Sequence, residues 1–84
     1  MINSNLPPNS ERVMVTYKKS FSTGPYGDTK ELREVTKMGF YSELFQNFAI
    51  PPEWRMFNGI LLPHGWGGDY LAADEIIKWE PIND

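Results

Sequence analysis

Trp54-Arg55-Met56-Phe57-Asn58-Gly59-Ile60-Leu61-Leu62 is the stretch whose reading decides the fold. Asn-Gly between two apolar runs is the preferred pair for a two-residue type I′ turn, in which both central residues take positive φ and the flanking strands keep their natural twist. Such a turn fixes register, so Phe57 faces Ile60, Met56 faces Leu61 and Arg55 faces Leu62. Working outward, the β signal recurs on both sides. Upstream, Arg12-Val13-Met14-Val15-Thr16-Tyr17-Lys18 sets Val13, Val15 and Tyr17 against Met14 and Thr16 with the two-residue period of a strand. The turn residues of 22–28 follow, and Glu31 to Tyr41 offers a second strand with Leu32, Thr36, Met38 and Phe40 on one face, so the two predict a long hairpin. Downstream, Glu75-Ile76-Ile77-Lys78-Trp79-Glu80 reads as a closing strand stopped by Pro81, with Trp79 and Trp54 expected in the core.

One segment departs from this pattern. Ser42-Glu43-Leu44-Phe45-Gln46-Asn47-Phe48 predicts a short helix, with Ser42 as N-cap and Glu43 in a first turn that suits an acid. Pro51-Pro52 ends it, because the residue before a proline is pushed out of the α region. The expected architecture is a small antiparallel sheet of about five strands, α+β if residues 42–48 coil and all-β if they do not. The 84 residues read as one small domain, with residues 1–10 an extended lead-in segment held by Pro7 and Pro8.

Composition narrows the function classes. There is no cysteine, which removes disulfides, thiolate metal sites and cysteine nucleophiles and leaves aromatic packing or a homo-oligomer as the support for a small scaffold. Met1-Ile2-Asn3-Ser4-Asn5 carries neither a basic leader nor an apolar run, and no apolar stretch approaches spanning length, so a cytoplasmic protein with no membrane partner is expected. The net charge of −3 divides into +2 over residues 1–41 and −5 over 42–84. That acidic balance argues against nucleic acid as a partner, since phosphate neutralisation needs an excess of positive charge.

Functional residues are sought in the glycine-rich stretch His64-Gly65-Trp66-Gly67-Gly68-Asp69-Tyr70, which reads as a connection rather than a strand. Trp66 has two readings: a lid folded over the small core, the commoner use of a Trp in a domain of this size, or with Tyr70 a contact surface. Trp54, Arg55, His64, Trp66, Asp69 and Tyr70 form a candidate binding set if the hairpin holds them together, with rings for stacking, a guanidinium for phosphate or carboxylate, and an acid for hydroxyls or amines. Catalysis finds less support. A Ser-His-acid arrangement would need His64 with Asp69 or Asp74 and lacks a strained elbow for the serine, while His64 with those acids matches no common metal-ligand spacing. Gly65-Trp66-Gly67-Gly68 lacks the lysine and the strand-loop-helix setting of a phosphate loop. No cofactor, metal or catalytic residue is expected.

Leu6-Pro7-Pro8 before Arg12-Val13-Met14-Val15, then Gly39-Phe40-Tyr41, then Ile76-Ile77-Lys78-Trp79-Glu80-Pro81-Ile82 resembles, in that order, a group of short phage and prophage proteins of unknown function. Glu80 stands where those proteins commonly carry Met. The resemblance implies a phage or mobile-element origin and the cytoplasm of a host cell, and brings no catalytic residues. The expectation is a non-enzymatic phage-type accessory or anti-defence protein that binds and blocks a host protein; the alternative is a protein that sequesters a small nucleotide.

Overall fold

The computed structural model describes residues 6–82. Its strands are β1 (Arg12–Thr23), β2 (Thr29–Ser42), β3 (Asn47–Ile50), β4 (Glu53–Phe57), β5 (Ile60–His64), β6 (Asp69–Ala72) and β7 (Ile76–Pro81), with a 3₁₀ turn at Ala73–Glu75. Five form one antiparallel sheet in the order β6-β3-β2-β1-β7, while β4 and β5 pair only with each other. The Asn58-Gly59 turn has the expected positive φ at both residues, 52° and 80°. Phe57↔Ile60, Met56↔Leu61 and Arg55↔Leu62 are the observed partners.

Alternation in β1 puts Val13, Val15 and Tyr17 on the inner face, where all three are buried. Their β2 partners are Gly39, Lys37 and Val35, so the inner row of β2 continues to Tyr41. The apolar row expected on β2, with Leu32, Thr36, Met38 and Phe40, does share a face, but it is the outer one, and Leu32 and Thr36 lie exposed. Met38 and Phe40 are half-buried because β4 brings Trp54 over them. Its indole N–H donates to the Met38 carbonyl at 3.1 Å and its ring meets Phe40 edge-on at 6.2 Å.

Residues 42–48 do not coil. Ser42 accepts the Phe45 N–H at 3.3 Å, the bond of an N-cap, but Gln46 then takes a φ of 53° and the chain doubles back into β3. Phe48 and Ile50, two residues apart, both reach the inner face and are buried with Val13, Val15, Tyr17 and Tyr41. A two-turn helix could not bury both there; tertiary burial of two large side chains outweighs a weak local helix preference. Trp79 packs against this core from β7, half-buried.

The sheet is curled, and two polar contacts prove it. β6 and β1 are separated by β3 and β2, so on a flat sheet they would lie about 14 Å apart. Yet the Tyr17 hydroxyl donates to Asp69 at 2.8 Å, and Lys19 Nζ lies 2.8 Å from the same carboxylate oxygen. A bulge between Thr16 and Tyr17, where β1 leaves its register with β7, adds to the bend. On the outer face the buried Thr16 hydroxyl is satisfied by that of Thr36 at 2.9 Å.

Of the lead-in segment, residues 1–5 lie outside the described residues. Asn9 bridges to Tyr41, Ser10 N–H donates to the Tyr41 carbonyl at 2.9 Å, and the Asn9 side chain accepts the Glu43 N–H. Two ribbons leave the sheet. Pairing with β7 stops at Tyr17 and pairing with β3 begins at Phe40, so residues 18–34 stand as a two-stranded arm; β4–β5 is the other.

Candidate functional site

The structure divides the six candidate residues among three places. Asp69 and Tyr70 stand on β6, not on a loop as the glycines suggested, and as neighbours on a strand they point to opposite faces. Asp69 turns inward to Tyr17 and Lys19; Tyr70 turns outward and is 70% exposed. Trp54 is the ribbon's anchor on the sheet. Arg55 and His64 stay on the exposed ribbon around Glu53, with Arg55 Nε 2.8 Å and His64 Nε2 3.9 Å from one carboxylate oxygen.

Asp69 closes the curl. Burial pushes its carboxyl up, but hydrogen bonds from Lys19 and Tyr17 and the charges of Lys19 and Lys37 outweigh this and hold it below the usual carboxylate range. Burial first, then the hydrogen bond to Asp69 and its charge, push the Tyr17 phenol above its ordinary value. One group is firmly ionised and the other firmly protonated near neutral pH, so the cluster suits a structural latch better than proton transfer.

Trp66 is 99% exposed, which overturns the lid reading. The backbone explains how it is held out. Gly65 and Gly67 on either side have φ of 100° and 86°, conformations that put the tryptophan at the apex of the loop. Gly68 lies so close to the Ile50 carbonyl and Pro51 that a side chain there would collide with them. The loop is therefore seated on the Pro51-Pro52 corner while its indole projects into water.

The ribbon stands over the outer face and leaves a groove on each side. The larger, about 640 Å³, is walled by Arg12, Phe40, Trp54, Leu61, Pro63 and Ile82. The smaller, about 390 Å³, takes in Phe40, Ala49, Pro52, His64, Gly68 and Tyr70. Arg12 escaped the sequence reading because nothing local marks a strand's first residue as facing a groove that a distant hairpin completes. Among the described residues no three His, Asp or Glu side chains gather closely enough to hold a metal ion, and no helix is long and apolar enough to cross a membrane.

Comparison with known protein families, curated proteins and solved structures finds no match to this chain.

Proposed function

We propose that this is a non-catalytic binding protein of phage type that docks on a host protein through Trp66 and blocks it. One observation carries the reading: a fully exposed indole on a loop whose glycines seat it against Pro51-Pro52. Large rigid aromatics ordered before binding lose little entropy on association and dominate interface energies. The ordered resemblance of the strand motifs to short phage proteins supports the setting in a host cell. The test is capture from host lysate by immobilised wild-type protein and by Trp66→Ala. A single host protein should be retained by the wild type and bound about 30-fold more weakly by the variant, a loss of about 2 kcal/mol, while circular dichroism and melting stay unchanged. Equal retention by both, or a lowered melting temperature in the variant, contradicts the proposal.

A second reading, a small nucleotide in the larger groove, rests on a cation, Arg12, lining the same groove as the rings of Phe40 and Trp54. It requires saturable nucleotide binding in calorimetry that Arg12→Ala removes.

A further inference from the structure

We infer that the face of the β4–β5 ribbon turned away from the sheet is a homodimer contact, covered in solution by the same face of a second copy. The inference is independent of the partner at Trp66.

Alternation divides the ribbon's side chains into two rows. Trp54, Met56, Leu61 and Pro63 form one, which Trp54 fastens to Met38 and Phe40. Phe57, Ile60 and Leu62 lie on the other, exposed at 67%, 60% and 46%, with Leu62 at the margin where it also borders the larger groove. These three are cross-strand and diagonal neighbours, so the exposed apolar surface is continuous. A two-stranded ribbon by itself is marginal in water, and among the described residues this one makes no strand pairing with the sheet, to which Trp54 attaches it.

The dimensions of the chain reflect both projecting ribbons. Its accessible surface is 6404 Å², against roughly 5,100 Å² for a folded monomer of this mass. The radius of gyration is 14.2 Å, against about 12 Å for a compact chain of this length. The surplus of about 1,300 Å² is shared with the projecting arm of residues 18–34, and one partner of a standard interface buries roughly 800 Å². An interface confined to the ribbon is smaller than that standard, which sets the expectation of a reversible dimer rather than an obligate one.

Charge selects the second copy. Beside the apolar strip, Arg55 is paired with Glu53 at 2.8 Å, so the patch carries no unbalanced charge to choose a partner of opposite sign. Packed about a two-fold axis, apolar strip meets apolar strip and the neutral pairs fall at the rim, as a self-complementary contact requires. Extending the ladder edge to edge is blocked on one side. In a two-residue hairpin the pair flanking the turn is the hydrogen-bonded kind, so Pro63 occupies a position whose missing N–H faces outward. Only a face-to-face contact covers the apolar row, whose side chains stand perpendicular to the ladder.

Sedimentation of the full chain from about 1 μM to about 500 μM tests the proposal, since a small interface populates both states within that range. The mass should rise from 9.7 kDa toward twice that value in the wild type and in Trp66→Ala. The Phe57→Ser/Ile60→Ser double variant should stay monomeric with an unchanged circular dichroism spectrum. If it misfolds, Ile60→Lys alone, a charge on the row opposite Trp54, takes its place and should also stay monomeric. A wild type monomeric throughout, or a folded ribbon variant that dimerises like the wild type, overturns the inference.

Discussion

The arm of residues 18–34 and the β4–β5 ribbon are both two-stranded and both leave the support of the five-stranded sheet, but their side chains treat water differently. The arm carries Lys18, Lys19, Lys30, Arg33, Glu31 and Glu34 with serines and threonines between them. Its one aromatic strand residue, Phe21, is covered by the Arg33 guanidinium at 5.3 Å, which Glu31 pairs in turn at 2.8 Å. Charges along such edges keep strands from adding to one another. The ribbon instead leaves Met56, Phe57, Ile60 and Leu62 in solvent, and its two rim charges cancel. The arm's exposed apolar residues, Leu32 and the turn's Tyr26, stand singly among polar neighbours, whereas those of the ribbon adjoin one another with no cover from the described residues. Exposure by itself is common on proteins, and the lesson lies in the contrast between two elements of one shape on one molecule.

The comparison breaks most sharply at the point where each ribbon is fastened. Trp54→Ala should have the largest effect, about 3 kcal/mol, because it empties a half-buried aromatic site, uncovers Phe40 and frees the ribbon from the sheet. Urea unfolding measures it, and an unchanged midpoint would mean that the ribbon is held elsewhere. Asp69→Asn should cost less, about 1–2 kcal/mol at neutral pH, since the arm's base is tied to β6 through Lys19 and Tyr17. The pH dependence follows from the lowered carboxyl of Asp69. The unfolded chain takes up the proton first, so the stabilisation is complete above the ordinary carboxylate range and lost as pH falls through the lower folded value. The gap between wild type and variant should therefore close from about pH 5 downward. A gap that stays constant into strong acid would show that the charge is not what fastens the arm.

Much of the sheet was legible in the sequence because its signals are local. Val13, Val15 and Tyr17 alternate, and Asn58-Gly59 dictates both its turn and the register beyond it. What stayed hidden depends on distance. β3 spans four residues, too few to show a period, and Ser42 and Glu43 ahead of it carry the marks of a helix start. The inner row of β2 holds Lys37 and Gly39, so apolar content alone favoured the wrong face. Asp69 meets Tyr17 only because the sheet curls, and no neighbouring residue announces a contact 52 positions away. For the same reason the six candidate residues did not converge: Asp69 joined a latch and Trp54 an anchor, leaving Trp66, Tyr70, Arg55 and His64 exposed. Glycines on both sides of Trp66 were visible from the start, whereas only the Pro51-Pro52 corner, packed against the loop, shows that they hold the indole out.

Amide hydrogen exchange at low and high protein concentration tests the contrast between the two ribbons most directly. Protection at Arg55, Phe57, Ile60 and Leu62, the residues of the ribbon's hydrogen-bonded pairs, should rise with concentration as the apolar row becomes covered, while amides of residues 18–34 exchange at the same rate in both samples. Ribbon amides indifferent to concentration, or arm amides that gain protection equally, would contradict the account.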